Sequence, residues 1–313
     1  MRLAIVGAGP AGIYAADLML KAERDFEVSI DLFDLLPAPY GLVRYGVAPD
    51  HPRIKGIIRA LYEVLDRGDI RFFGNVQYGT DITLEELKQH YHAVIFATGA
   101  IKDADLNIPG IDLEGSFGAA DFVNWYDAHP DFPRTWDLSA KEIAVIGNGN
   151  VALDVARILA KQPSDLLSTD IPDNVYQGLL QSNATDIHVF GRRGPAQVKF
   201  SPLELREACH VNDVDAIVYD EDFQYDEGSQ EAIDSNNQIR VMVNTLEGLR
   251  GVEPKGASRR LHLHFFSAPK EIIGSDGKVT GIKIERTKLD GKGGVVPTGE
   301  IREFPVQAVY RAV

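Results

Sequence analysis

Cysteine is almost missing from this sequence, since Cys209 is the single one among 313 residues. One thiol cannot form an internal disulfide, a CxxC redox pair or a four-thiolate iron–sulfur site. Reactions that need two neighbouring cysteines in one chain are therefore excluded. We interpret Cys209 as a buried or half-buried apolar residue.

Long apolar runs and a surplus of positive charge are missing as well. No stretch of about 18 apolar residues occurs, so no membrane-spanning helix is predicted. Met1–Val6 leads straight into glycines, unlike a cleavable signal peptide, and we expect a cytoplasmic protein. The formal net charge is −14. Nucleic acid is thereby disfavoured as the main ligand, because binding its phosphates requires surplus Lys and Arg.

The composition is that of a globular protein with a substantial core. Hydrophobic residues make up 44% of the chain and charged residues 25%. A length of 313 residues suggests about two domains. One architectural unit occurs twice: a short apolar strand, a glycine-rich turn, a helix and a second strand. This repetition predicts an α/β fold with two parallel sheets.

The first glycine-rich turn, Gly7-Ala8-Gly9-Pro10-Ala11-Gly12, follows the apolar run Leu3–Val6. In such a motif the first glycine permits a tight turn and the second lets the backbone approach a pyrophosphate at the helix N-terminus. The third lets helix and strand pack closely. An acid is expected about 20 residues later, to bind ribose hydroxyls, and Asp34 stands there. The predicted dinucleotide site comprises Gly7, Gly9, Pro10, Ala11, Gly12 and Asp34; a purely structural turn is the alternative.

The second glycine-rich turn, Gly147-Asn148-Gly149-Asn150-Val151-Ala152, is followed by a strand that ends in two arginines instead of an acid. An acid would repel a 2′-phosphate, whereas two guanidinium groups bind it with fixed charge. We therefore interpret Gly147, Asn148, Gly149, Asn150, Val151, Arg192 and Arg193 as an NADP site, with solvated surface arginines as the alternative. Two such sites indicate FAD in the first and NADPH in the second, with hydride passing between their rings.

Three segments carry a resemblance to a known family. Leu36–Pro52 closely resembles the signature of adrenodoxin-reductase-type ferredoxin–NADP reductases, including their bacterial members, and Gly147–Asp154 and Gly191–Pro195 resemble their NADP motifs. The resemblance runs through the whole chain in the same order. It implies a flavoprotein enzyme, a ferredoxin–NADP(+) reductase, that passes electrons from NADPH through FAD to a ferredoxin-type iron–sulfur protein. We expect a monomer.

The resemblance also implies a domain organisation: an α/β fold of two Rossmann-like dinucleotide-binding domains in a glutathione-reductase-like layout. We expect residues 1–103 and 306–313 to form the FAD-binding domain, completed by a C-terminal return strand, and residues 104–305 the NADP-binding domain. The family continues past such a strand, so we expect the C-terminal part of the FAD-binding domain to be missing. The apolar pattern predicts one helix over 53–67, a buried strand over 93–97 and alternating strands over about 210–305.

Individual site residues follow from the family by position. His51 and Glu207 match an active-site histidine and glutamate, and we hypothesise that Glu207 orients or charges His51. No metal site is predicted. The implied cofactor contacts are Gly9 to Ala11, Asp34, Leu42 and Tyr78 for FAD, and Asn148 to Val151, Arg192, Arg193 and Glu204 for NADP.

Departures from the family and other interpretations remain. The family carries an arginine near position 104 that helps to hold NADP; this chain has Ala104 there, and Lys102 is the candidate substitute. One alternative is an NADP-binding fragment without catalysis. Another is an NADPH-to-flavin input module like that of glutamate synthase, but such chains usually carry clusters ligated by cysteines, which this one lacks. Candidate cations for docking an acidic ferredoxin are Lys199, Arg206, Lys255, Arg259 and Arg260.

Overall fold

A computed structural model describes residues 1–100, 103–104 and 106–313 of the chain. It divides into two compact units, Met1–Ile101 and Lys102–Val313. The division falls close to the boundary predicted between residues 103 and 104.

The first unit is built on a parallel sheet. Its strands are β1 (Arg2–Val6), β2 (Ser29–Phe33), β3 (Ile70–Phe73) and β4 (Ala93–Phe96), and its helices are α1 (Pro10–Lys21), α2 (Leu42–Tyr45), α3 (Pro52–Lys55), α4 (Ile57–Asp66) and α5 (Leu84–His90). The strands lie in the order β3-β2-β1-β4. The last four residues of β1 and of β2 are buried, as expected for strands covered on both faces.

Two predictions for this unit need correction. The single helix expected over 53–67 is two helices, because Gly56 ends α3 and precedes α4; Pro52 does occupy the first turn of α3. The strand expected to be buried at 93–97 is β4, which lies at the edge of the sheet. Ala93 is exposed and Phe96 keeps 47% of its surface exposed. An apolar run shows that a strand forms, but it does not show how many neighbours the strand has.

The second unit contains a six-stranded parallel sheet and a three-stranded antiparallel sheet. Its strands are β5 (Ser116–Gly118), β6 (Glu142–Ile146), β7 (Asp186–Phe190), β8 (Val214–Val218), β9 (Arg259–His264), β10 (Ser267–Ser275), β11 (Lys278–Leu289), β12 (Val295–Phe304) and β13 (Ala308–Arg311). The parallel sheet has the order β5-β13-β6-β7-β9-β8, and the antiparallel sheet the order β10-β11-β12. Ile146 and Phe190 of the first sheet share a core cluster with Ile282 and Ile284 of the second.

Helices flank the parallel sheet of this unit. They are α6 (Ala119–Tyr126), α7 (Asn150–Ala160), α8 (Asp173–Leu179), α9 (Pro202–Cys209), α10 (Glu227–Ser235) and α11 (Asn237–Glu247). The expectation of alternating strands throughout 210–305 is therefore wrong for residues 227–247, which form α10 and α11. In the part of the chain that the structure describes, no helix combines the length and apolar character needed to cross a membrane.

The C-terminal strand is the main correction to the predicted fold. β13 was expected to return to the first sheet, but it lies between β5 and β6 in the second unit, parallel to both. Val309 and Tyr310 are fully buried there, and the Trp136 indole donates a 3.0 Å hydrogen bond to the Tyr310 hydroxyl. The two expected Rossmann-like units are present, but residues 306–313 belong to the second.

Candidate functional site

The two glycine turns are built alike. Gly7 has φ +108° and Gly147 has φ +152°, which are conformations that favour glycine. A Cβ atom at Gly7 would lie 2.2 Å from the Ala97 carbonyl oxygen, and one at Gly147 would lie 2.3 Å from that of Ala312. Ala97 follows β4 and Ala312 follows β13, so β13 stands beside the second turn as β4 stands beside the first.

The middle glycine of each turn has a different role. A Cβ at Gly9 would lie 3.9 Å from the Gly41 Cα, and one at Gly149 would meet no atom within 4 Å. Packing within the protein therefore does not require glycine at these two positions. Each is the N-cap of a long helix, α1 or α7, and neither cap uses a side-chain hydrogen bond. The open space and the N–H groups at a helix N-terminus suit the close approach of an anion such as a pyrophosphate.

Asp34 lies directly after β2, against the first turn. Its carboxylate accepts a 2.6 Å hydrogen bond from the Ala8 nitrogen and a 2.9 Å hydrogen bond from the Leu36 nitrogen. Each carboxylate oxygen can accept more than one hydrogen bond, so capacity for a ribose hydroxyl remains. The sequence analysis predicted this acid from its spacing after the glycine motif, and the structure places its carboxylate against the turn. Binding to the ribose stays a prediction.

Apolar side chains also surround the first turn. The Tyr40 nitrogen donates a 2.8 Å hydrogen bond to the Ala8 carbonyl oxygen, which fixes the start of α2 and places Leu42 with 47% of its surface exposed. The rings of Tyr78 and Phe96 lie 4.8 Å apart, edge to face, and both are partly exposed. Phe96 was missed by the sequence analysis. Its signal was an aromatic residue at the carboxyl end of a strand, where ligands of parallel sheets bind.

The second turn is tied to the segment before α9. The Lys199 nitrogen donates to the Asn148 carbonyl oxygen at 2.9 Å, and the Ser201 nitrogen donates to Asn150 Oδ1 at 2.8 Å. Val151 exposes 48% of its surface at the start of α7. Within the described ranges, the buried Asn148 Nδ2 has no hydrogen-bond partner. An unsatisfied buried donor at a glycine-rich turn fits a site that is completed by a ligand.

Arg192 and Arg193 follow β7, at the position that Asp34 holds after β2. Arg192 is exposed and Arg193 half-buried. Neither guanidinium group forms an ion pair with any carboxylate among residues 1–100, 103–104 and 106–313. Both line a pocket of about 460 Å³. Two unpaired cations at one opening, in a chain of net charge −14, form a local positive site.

Glu204 is held by an arginine that the sequence analysis missed. It is 5% exposed on α9, and its Oε2 lies 3.2 Å from Nη1 of Arg157 on α7. Arg157 also forms a 2.8 Å ion pair with Asp154. The missed signal was a charged residue inside the apolar pattern of α7. The structure therefore shows a structural role for Glu204, and contact with NADP stays a prediction.

His51 and Glu207 lie in different units. His51 is 6% exposed and is the N-cap of α3, without a side-chain capping hydrogen bond. Glu207 is half-buried on α9. Their predicted partnership stays a hypothesis. On the same helix, burial raises the pKa of the half-buried Cys209 thiol to about 12, as expected for an unreactive residue.

The predicted docking cations divide into two groups. Arg259 is 8% exposed and donates to the carbonyl oxygens of Leu159 at 3.1 Å and Lys161 at 2.7 Å, so its prediction as a docking residue is wrong. Arg260 forms an ion pair with Asp186. The exposed ones are Lys199, Arg206 and Lys255. Ala104 is exposed too, whereas Lys102, its suggested substitute, lies outside the described residues.

Comparisons with known proteins agree with this architecture. The family model for pyridine nucleotide-disulphide oxidoreductases matches residues 1–185. The NADPH-ferredoxin reductase FprA of Mycobacterium tuberculosis is 42% identical over 320 residues, which span 99% of this chain and 70% of that protein. The mitochondrial NADPH:adrenodoxin oxidoreductase of Arabidopsis thaliana is 38% identical over 326 residues, 100% of this chain and 67% of that protein.

A solved structure extends the comparison to three dimensions. Mycobacterium tuberculosis FprA in complex with NADPH matches with a TM-score of 0.93 and 41% identity, over 100% of this chain and 70% of that chain. The resemblance found from the signature at Leu36–Pro52 is thereby confirmed. The chain belongs to the pyridine nucleotide-disulphide oxidoreductase family and, within it, to the group of NADPH-ferredoxin and NADPH:adrenodoxin reductases.

Proposed function

We propose that the chain is a ferredoxin–NADP(+) reductase that passes electrons from NADPH through FAD to a ferredoxin-type iron–sulfur protein. The observation that carries this proposal is that Arg192 and Arg193, which form no ion pair within the described residues, follow β7 where Asp34 follows β2 in the first unit. Fixed positive charge selects a 2′-phosphorylated coenzyme, and a carboxylate selects free ribose hydroxyls. The single cysteine excludes the dithiol chemistry from which the wider family takes its name.

The first unit has the groups that FAD requires. The start of α1 offers first-turn N–H groups to a pyrophosphate, and Asp34 offers acceptor capacity to the adenosine ribose. Leu42, Tyr78 and Phe96 add partly exposed apolar surface. When bound there, FAD supplies the change from two-electron to one-electron transfer.

The residues of the second unit bind and orient the nicotinamide coenzyme. The start of α7, with Gly149 leaving space above it, holds the pyrophosphate, and Arg192 and Arg193 hold the 2′-phosphate. Glu207 orients or charges His51 beside the place where the two rings meet. This last role follows from the family resemblance and from the chemistry of a carboxylate–imidazole pair.

The partner is an acidic iron–sulfur protein of the kind that the relatives' names contain, ferredoxin or adrenodoxin. Of the five predicted docking cations, Lys199, Arg206 and Lys255 are exposed and therefore available for docking it. A steep fall in the reduction rate with added salt supports docking by charge, and a rate independent of salt contradicts it. We further propose a monomer that works in the cytoplasm, consistent with the low cysteine content.

An absorption spectrum of the purified full chain tests the proposal. We expect a band near about 450 nm that bleaches with NADPH and far more slowly with NADH. The double variant Arg192→Gln, Arg193→Gln should keep the band and lose the preference for NADPH. A colourless protein that binds NADP⁺ would support nucleotide binding without catalysis. Equal bleaching by both coenzymes would overturn the assignment of the arginines.

A further inference from the structure

Hydrogen bonds to residues 264–267 hold the turn that carries the two arginines. The Gly191 nitrogen donates to the His264 carbonyl oxygen at 2.9 Å, and the Ser267 nitrogen donates to that of Gly191 at 2.8 Å. The Phe266 nitrogen donates to the Arg193 carbonyl oxygen at 3.2 Å. All three bonds run between main-chain atoms, so a change of side chain does not remove them directly.

The carbonyl oxygen of Arg192 is held differently. It accepts a 2.7 Å hydrogen bond from the hydroxyl of Thr287 on β11. This is a side-chain bond to one of the two phosphate-binding residues, and it joins positions 95 residues apart in sequence. A single substitution can therefore release Arg192 while the main-chain bonds of its neighbours remain.

The surroundings of Thr287 explain its orientation. Its nitrogen donates to the Phe266 carbonyl oxygen at 2.9 Å, and the β11–β12 register shifts between Glu285 and Thr287. Such a bulge re-aims the side chain beside it. The preceding residue, Arg286, is anchored by an ion pair of 2.7 Å with buried Asp222. Thr287 is thus held on a well-fixed strand.

Thr287 also lines the pocket of about 460 Å³ that contains Arg192 and Arg193. Two carboxylates share the lining, but both are already engaged. Glu285 forms a 2.8 Å ion pair with Lys270, and Asp290 Oδ1 accepts from the nitrogens of Lys292 and Gly294 at 2.8 and 2.9 Å. The net attraction offered to a phosphate in this pocket comes from the two guanidinium groups.

We propose that Thr287 is a positioning residue for coenzyme selectivity, which holds the main chain of Arg192 so that both guanidinium groups reach one 2′-phosphate. The inference rests on the proposed function. Bidentate recognition of a phosphate requires both side chains to start from a fixed backbone, because misplacement weakens each charge-assisted bond. The hydroxyl of Thr287 has no reason to affect a coenzyme that lacks the phosphate.

Calorimetric binding of two probes to the full chain tests this inference. Adenosine 2′,5′-bisphosphate carries the 2′-phosphate, and 5′-AMP lacks it. For Thr287→Val, which keeps the β-branched shape, we expect the Kd of the bisphosphate to rise about tenfold while that of 5′-AMP stays unchanged. Thr287→Ser keeps a hydroxyl and should restore binding to within about twofold of wild type.

The neighbouring strand offers a matched control. Thr298 on β12 donates an equivalent 2.8 Å hydrogen bond in the same hairpin, but its acceptor is the Arg286 carbonyl oxygen and not one of the arginine turn. Thr298→Val should leave both Kd values unchanged, and a loss equal to that of Thr287→Val would overturn the inference as a general loosening of the hairpin. If Thr287→Val binds the bisphosphate with the Kd of wild type, the inference is overturned, but the proposed function is not. If the wild-type chain itself fails to prefer the bisphosphate, the proposed function fails and the inference with it.

Discussion

Arg157 and Glu204 form a buried ion pair between α7 and α9, with Nη1 and Oε2 3.2 Å apart. Arg157 is 1% exposed and Glu204 5%. The helix α7 begins at the second glycine turn, and the Ser201 hydroxyl caps the start of α9. This pair therefore ties α7, the helix at whose N-terminus we propose that the coenzyme binds, to α9, the helix that carries Glu207.

Removing the charge of Glu204 should destabilise the second unit. Glu204→Gln removes one carboxylate charge from buried Arg157, which keeps its ion pair with Asp154, and we expect a loss of about 2 kcal/mol in the free energy of unfolding. Both tryptophans of the chain, Trp125 and Trp136, lie in this unit, so their fluorescence during urea unfolding reports on it. Glu231→Gln, at an exposed site, should change the same quantity by less than about 0.5 kcal/mol. Identical unfolding of Glu204→Gln and wild type would show that the pair does not stabilise the fold.

Two glycines of the second turn should respond in opposite ways to alanine. Gly147→Ala adds a Cβ 2.3 Å from the Ala312 oxygen at a φ of +152°, and we expect it to destabilise the unit by about 3 kcal/mol. Gly149→Ala adds a Cβ in open space, at a cost in stability below about 1 kcal/mol. That Cβ would occupy the space in which we propose that the pyrophosphate binds. The stability of this variant should be near that of wild type while the Kd for NADP⁺ rises. Unchanged NADP⁺ binding by Gly149→Ala would place the pyrophosphate elsewhere.

Stability should also depend on pH through three histidines on β7 and β9. His188 Nδ1 and His264 Nε2 lie 3.0 Å apart, and the rings of His188 and His262 stack at 4.3 Å. Burial lowers the pKa of all three, and that of His262 falls to about 4 through burial and the neighbouring His188, against the opposing effect of the hydrogen bond that His262 donates to the Asp186 carboxylate. The three rings stack nearly parallel, and the lowered pKa values leave the imidazoles neutral at pH 7.

The sign of this dependence follows from the lowered pKa. The unfolded chain binds protons at these histidines below about pH 6.5, whereas folded His262 binds its proton only near pH 4. The stabilisation is complete above about pH 6.5 and is lost as the pH falls toward 4, by about 3 kcal/mol for His262. Urea unfolding monitored by tryptophan fluorescence at pH 7.5, 6 and 4.5 measures this loss in the free energy of unfolding. In His262→Gln the free energy of unfolding should fall less steeply as the pH is lowered. The same slope as in wild type would show that His262 does not cause the pH dependence.

The proposed role of His51 can be tested by substitution. His51→Gln keeps a side chain that forms hydrogen bonds but cannot become a cation. If Glu207 charges the imidazole, flavin reduction by NADPH should slow about tenfold, while the Kd for NADP⁺ stays unchanged. Glu207→Gln should act in the same direction. Stopped-flow reduction at wild-type rate in both variants would leave His51 with only its structural place at the start of α3.

Local pattern was sufficient for the parts of the site that lie close together in sequence. The turn at Gly7, its twin at Gly147 and the acid at Asp34 are recognised from sequence patterns that span about 30 residues, the size of one βαβ unit. The exchange of Asp34 for Arg192 and Arg193 was visible in the same way. Long-range partners were not visible, because a helix or strand pattern shows which face is buried but not which element covers it.

The sequence by itself determined the α/β class, the two glycine turns, the contrast of charge between them and the family. Only the tertiary structure decided that β13 joins the second sheet beside Gly147, that Arg157 holds Glu204, and that the Thr287 hydroxyl holds Arg192. The physical reason is distance along the chain. These contacts join residues 47 to 174 positions apart, as the Trp136–Tyr310 bond behind β13 also does, and packing of the complete unit selects them.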